Sequence, residues 1–301
     1  MPRREAILDA LGIAPGEFVV EIGAGTIPFR GTRLVLDKFP FDDAERGGPI
    51  AGTAPLLQAD AERLPLKRGS CDVLFCSHVI EHLPQPARLV EEARRCARRL
   101  YLEFPRARRE LLYAWRYHRW LVELEGSKLV LYRNDVPQLF GGFFHEQYDL
   151  LLDVWSAERH AELNAHWFGD PAELSVEVAP SSAFEHLVGA SARGADKRDF
   201  EVPYAEEGAG PVAYPWSSRL KLAAWSLLPE SLLRARRRRA ASRARPREPL
   251  ADEVLAKLLC QTCRDETATI ARAADGAELV CGGCGQRYRA RDGVFDFDRT
   301  A

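Results

Sequence analysis

The chain has 301 residues, 46% of them hydrophobic, enough to bury a full core with a small satellite domain. No apolar run approaches the ~18–20 residues that span a bilayer, and the first residues lack the apolar core of a secretory signal, so a cytoplasmic protein is expected. A net charge of −2 gives no general attraction for polyanions; the basic exception is local, with eight arginines and no acid between residues 234 and 247.

In chain order, FVVEIG (18–23), RLVLD (33–37) and CDVLFCS (71–77) are short apolar runs of the kind that form buried parallel strands. Between Pro84 and Arg99 the spacing turns helical, with Leu89, Val90, Ala93 and Ala97 on one face. LYLEFP (100–105) then reads as a strand closed by proline. Strands alternating with helices or loops predict an α/β, Rossmann-like doubly wound sheet with its ligand at the strands' C-terminal ends. Beyond Pro105, a hairpin is expected over 120–133, a helix over 146–165 and a late strand over 173–180. Residues 106–170 read as a substrate-side elaboration. The expected division is a main domain at 1–200, a loop, amphipathic stretch and Arg-rich linker at 201–251, and a small domain at 252–301.

The turn Glu21-Ile22-Gly23-Ala24-Gly25-Thr26 follows the first strand, where glycine permits both a sharp bend and a close approach of backbone to ligand. Asp37 ends the second strand, positioned to accept hydrogen bonds from two ribose hydroxyls. Asp60 follows a third strand, within reach of an adenine amino group. Each aspartate taken alone reads equally as a turn former. Dinucleotide binding fits less well, because Pro28 stands where the third glycine belongs and has no N–H to offer a pyrophosphate. His78-Val79-Ile80-Glu81-His82 has the H-x-x-E-H spacing of a helical zinc site. No third ligand stands out downstream, so Glu81 and His82 are expected to be packing and hydrogen-bonding groups. His78, at a strand end, is the first candidate for a general base, and His145, in GGFFHEQYD, is the second.

EIGAG, then LD, then QADAERLPLKRGSCDVLFCSHVIEHLPQPARLVEEARRCARRLYLEFP together resemble the methyltransferases related to ubiquinone- and menaquinone-biosynthesis enzymes. The resemblance covers about residues 15–105 and implies S-adenosylmethionine as cofactor. It places Glu21, Gly23 and Gly25 around the methionine part, Asp37 at the ribose, Asp60 and Ala61 at the adenine, and Ser77 with His78 closing the site. The chain departs from that pattern at Ile27-Pro28, and only eleven residues separate Gly25 from Asp37, too few for the usual helix.

Cys260-x-x-Cys263 and Cys281-x-x-Cys284, seventeen residues apart, have the spacing of two knuckles that hold a structural zinc, leaving no coordination position open. The segment from Leu258 to Phe297 resembles the small zinc-ribbon partner of tRNA and translation-factor methyltransferases, which implies a built-in activator or stabiliser. No separate obligate protein partner is expected.

The arginine run admits three readings: a solvated linker, a contact for RNA, or a contact for an anionic membrane surface that would make the protein peripheral to it. Three functions follow. One is methyl transfer to a small-molecule, lipid-linked or glycan-type acceptor, the next is tRNA or rRNA methylation, and the last is a catalytically inactive cofactor-binding interaction protein.

Overall fold

A computed structural model describes residues 11–29, 31–42, 46, 49–106, 109–110, 117–136, 163–192, 247–274 and 276–298. His145, the predicted helix up to residue 162 and residues 193–246, with most of the arginine run, lie outside them.

The apolar runs form the expected strands: β1 (Val19–Ile22), β2 (Thr32–Asp37), β3 (Leu56–Gln58), β4 (Cys71–Ser77) and β5 (Ala97–Pro105). They pair in parallel in the order β3-β2-β1-β4-β5. Residues 33–37 of β2 pass from exposed to fully buried, and Val20, Leu34, Leu36, Leu57 and Leu74 are at 0% exposure, as a sheet covered on both faces requires. Between β1 and β2 the described residues contain no helix, in keeping with the short span.

Helix α1 (Pro86–Cys96) opens with proline in its first turn and buries Leu89, Val90, Ala93 and Cys96. It stops earlier than the periodicity suggests, because Ala97 is already extended and opens β5. The predicted hairpin is present as β6 (Trp120–Glu125) and β7 (Lys128–Arg133), turning through Gly126 at φ +63°. The helix expected over 146–165 is corrected at its end: Asn164 and Ala165 begin β8 (Asn164–Gly169), which pairs antiparallel with β5 along its length. The late strand, β9 (Ser175–Ser182), joins β7 in a separate three-stranded sheet β6-β7-β9, and α2 (Ala183–Ala192) follows it.

The C-terminal segment is part of the main fold. After α3 (Asp252–Lys257), β10 (Ile270–Arg272), β11 (Glu278–Cys281), β12 (Arg287–Arg291) and β13 (Val294–Asp296) form an antiparallel ribbon. β13 then pairs in parallel with β3, so the whole sheet runs β10-β11-β12-β13-β3-β2-β1-β4-β5-β8. One apolar core runs through both parts, with Leu258, Ile270, Leu279, Tyr288 and Phe297 in the same cluster as Leu57, Leu64 and Leu66. Arg247, the last of the arginine run, donates to the carbonyls of Ile50 and Ala54 at 2.8 and 3.1 Å, so this arginine packs on the protein. No helix among the described residues is long and apolar enough to cross a membrane.

Candidate functional site

The ends of β1, β2 and β3 are neighbours in the sheet, so the Gly23–Gly25 turn, Asp37 and Asp60 come to one edge, where a doubly wound fold binds its ligand. Gly23 has φ +63°, and a Cβ there would meet Val79 Cγ2 at 2.5 Å; Gly25 is at φ +61°. Glycine is required at Gly23 both by conformation and by space. Glu21 turns inward: it is 2% exposed, and its Oε2 accepts from Phe29 N and from Thr32 Oγ1, both at 2.9 Å. It thereby anchors the loop that replaces the usual helix.

Both acids meet cations. Asp37 Oδ1 accepts from Phe39 N at 2.8 Å, while Oδ2 pairs with Arg46 Nη1 at 2.8 Å. Arg46 also donates to the carbonyls of Phe39 and Asp42, which ties these two residues to the aspartate's partner. Asp60 Oδ2 pairs with Lys38 Nζ at 2.6 Å, and its Oδ1 accepts from Glu62 N. Burial of Lys38 opposes its charge, but Asp60 outweighs that and holds its pKa above the ordinary range. Ala61 is buried beside Asp60. Ile27, two residues after Gly25, and Phe39, two residues after Asp37, stand 66% and 63% exposed.

At the other side of the edge, the ends of β4 and β5 carry a buried network. Ser77 donates to Glu103 Oε1 at 3.0 Å, and Tyr101 OH donates to Glu103 Oε2 at 2.8 Å. His78 follows at φ +55°, in the left-handed region that costs any residue but glycine. Its Nδ1 lies 3.2 Å from Glu81, and its Nε2 lies 3.4 Å from Glu103 and 3.3 Å from Arg109. Burial opposes the charge of His78, yet Glu103 and Glu81 raise its pKa; burial likewise opposes the charge of Glu81, whose pKa the facing imidazoles, His78 foremost, hold at about 2. The two carboxylates make His78 a better proton acceptor, while Arg109, which can only donate, faces the same Nε2 and opposes its charge.

Sequence reading missed Glu103, Arg109, Glu110 and His118. His118 Nδ1 lies 2.6 Å from Glu110 Oε1, and its Nε2 is 4.0 Å from Glu81 Oε1. The signal was the H-x-x-E-H run; its partner on the far side sits thirty-six residues after His82, with no helical spacing to reveal it.

The four ribbon cysteines converge, with their sulfurs all within 4.8 Å of one another. The Cys260–Cys284 and Cys263–Cys281 separations are both 3.7 Å. Tetrahedral zinc with sulfurs at ~2.3 Å spaces them by about 3.8 Å, so the residues fit the ion. Each knuckle closes alike: Arg264 N bonds Cys260 O and Gly285 N bonds Cys281 O, with both residues at positive φ. Tyr288 OH donates to Cys260 Sγ at 3.0 Å; burial opposes the Cys260 thiolate, but this and other hydrogen bonds bring its pKa down to about 6.

Residues 40–99 match the methyltransferase domain family model. No curated protein matches the chain. Among solved structures, the YcgJ protein of Bacillus subtilis is 19% identical, with 34% of this chain and 49% of that one covered and a TM-score of 0.27. An S-adenosylmethionine-dependent methyltransferase of Mesorhizobium loti is 17% identical over 43% and 62% of the two chains, with a TM-score of 0.26. A complex of the Haloferax volcanii Trm112 methyltransferase activator with a protein assigned as a methyltransferase gives 14% identity, 56% and 90% coverage and a TM-score of 0.34. The chain thus spans about half the length of the first of these. Residues 40–99 match the methyltransferase domain family, and they lie in the middle of a Rossmann-like α/β sheet.

Proposed function

We propose that the protein is an S-adenosylmethionine-dependent methyltransferase whose acceptor is a small, lipid-linked or glycan-type molecule. The observation that carries this reading is the convergence of the Gly23–Gly25 turn, Asp37 and Asp60 at the ends of three adjacent parallel strands. Gly23, Gly25, Ala61 and Ser77 line the proposed cofactor edge, with Glu21 holding its loop from behind. Asp37 takes the ribose hydroxyls and Asp60 the adenine amino group. Bound there, the cofactor supplies an activated methyl group. Transfer is an in-line displacement, so this chain's contribution is chiefly to orient the reactants and exclude water. His78, at the end of β4, is the group placed to hold or accept an acceptor proton; His145 is the second candidate. The ribbon acts as a built-in stabiliser of this edge, holding zinc through its four cysteines and presenting β13 to β3.

Calorimetric titration of the full chain with S-adenosylmethionine tests the reading. Micromolar binding that Asp37→Ala weakens by about 1.5–3 kcal/mol, the scale of hydrogen bonds to a charged group, is expected. Absence of heat and of thermal stabilisation would count against the reading, and binding without turnover would favour a catalytically inactive cofactor-binding interaction protein.

A further inference from the structure

The network at the ends of β4 and β5 contains more acid and imidazole than methyl transfer uses. Glu81 and His82 lie in the 3-10 turn Ile80–His82, and His118 stands just before β6. One ligand atom from each of Glu81, His82 and His118 falls within 4.8 Å of the others. The rings of His82 and His118 face edge to plane, with centroids 4.6 Å apart.

Two contacts lock these segments together, and a third ties His118 to the end of β7. Arg119 N donates to Glu81 O at 2.8 Å, Trp120 Nε1 to Leu83 O at 2.7 Å, and Asn134 Nδ2 to His118 O at 3.0 Å. The donors are therefore fixed on the fold before any guest arrives. Glu110, 1% exposed, binds His118 Nδ1 at 2.6 Å. A carboxylate there fixes the tautomer and turns Nε2 toward Glu81, 4.0 Å from its Oε1, the outer-sphere arrangement of metal-bound histidines.

Two carboxylate oxygens, Glu81 Oε2 and Glu110 Oε2, are buried with no hydrogen-bond partner. Glu81 is at 0% exposure. A charged oxygen left so in a dry interior is costly, and a cation removes the cost.

We propose that Glu81, His82 and His118 form a second metal site, for a divalent first-row transition cation, oriented by Glu110 behind His118. Two imidazoles and one carboxylate select zinc- or iron-like cations over magnesium or calcium, which prefer all-oxygen shells. Ligands at ~2.0–2.2 Å from a metal stand about 3–4 Å apart, so the site closes by small side-chain rotations. Three protein ligands leave positions open, unlike the closed four-cysteine site. The assignment stands whether or not the strand-end acids bind S-adenosylmethionine.

Cobalt(II) titration of the chelator-stripped full chain tests it, because thiolate ligation adds strong near-ultraviolet absorption that nitrogen and oxygen ligands lack. The expected result is about two equivalents bound per chain, one with the thiolate band and one without it. His82→Ala and His118→Ala should each lose the second equivalent while keeping the thiolate band, which also reports that the variant is folded. Saturation of the wild type at one equivalent, all of it thiolate-bound, overturns the proposal. So does retention of the second equivalent in both variants, or its displacement by equimolar magnesium.

Discussion

At Gly23 a side chain is excluded twice, by φ of +63° and by Val79 Cγ2 at 2.5 Å from the added Cβ. Val79 leads directly into the turn bearing Glu81 and His82, so it cannot retreat without disturbing that network. Gly23→Ala is therefore expected to cost about 2–4 kcal/mol, the sum of a left-handed penalty and local overpacking, read from the midpoint of urea unfolding. Asp37 presents the opposite situation, a group already occupied. In the proposed binding mode a ribose hydroxyl competes with Arg46 for Asp37 Oδ2. Arg46→Ala should tighten S-adenosylmethionine binding by about three- to tenfold in calorimetry, since the largely buried ion pair it removes competes with the cofactor at a cost of about 1 kcal/mol. Weaker binding would mean instead that Arg46 serves the cofactor, by holding Phe39 and Asp42 in place.

Helix α1 joins the two parts of the molecule through one carboxylate. Glu92 accepts from Leu64 N at 2.7 Å, and pairs with Arg95 at 2.7 Å and with Arg264 of the ribbon at 3.2 Å. Burial opposes its charge, but Arg95 and then Arg264 prevail, and its pKa lies below the ordinary 4.5. A depressed folded-state pKa gives stability that is complete above the unfolded value and lost as pH falls through the folded one. Stability should thus decline on acidification below about pH 4.5, and Glu92→Gln should flatten that limb while lowering stability near neutrality by about 1–3 kcal/mol. Unfolding curves recorded across this range would show it; an unchanged acid limb in the variant would remove Glu92 from the account. Elements of this kind differ in how far sequence reveals them. β1, β2, β4 and β5 were legible because each is a run of residues buried on both faces, and the glycine turn and acids follow them at short range. The Cys-x-x-Cys pairs were legible from their spacing alone, which is local in the chain. What could not be read was long-range pairing: β8 against β5, β13 against β3, and His118 against Glu81. None of these leaves a local period, and Ala97 looks like one more helical position until β5 claims it.

On the scale of the whole molecule, the edge of the parallel sheet at β3 is covered by the protein's own C-terminal segment. Phe295 and Asp296 of β13 sit opposite Leu57 and Gln58, and Phe297 N donates onward to Gln58 O at 2.8 Å. Further along, Leu259 N bonds Pro65 O, Lys67 N bonds Lys257 O, and Arg63 and Arg264 clasp the carbonyls of Gln261 and Leu64. The segment 58–67, which includes Asp60, is thus held against the ribbon, and the ribbon's knuckles are in turn held by four thiolates. Tyr288 links the two: it donates to Cys260 and stacks on Phe297 at 3.9 Å. Cutting the chain after residue 246 would bare both an unpaired strand edge and the buried Leu57, Leu64 and Leu66, a combination that promotes aggregation. The truncated chain is expected to be insoluble, and co-expression of residues 247–301 should restore it by adding the missing strand. Cys281→Ser, which opens the knuckle but leaves the imidazole–carboxylate cluster intact, should lower the melting temperature of the whole chain in a single transition. It should also weaken S-adenosylmethionine binding through the 58–67 segment. Two separate transitions, with the first leaving cofactor affinity untouched, would show that the ribbon is carried by the sheet rather than supporting it.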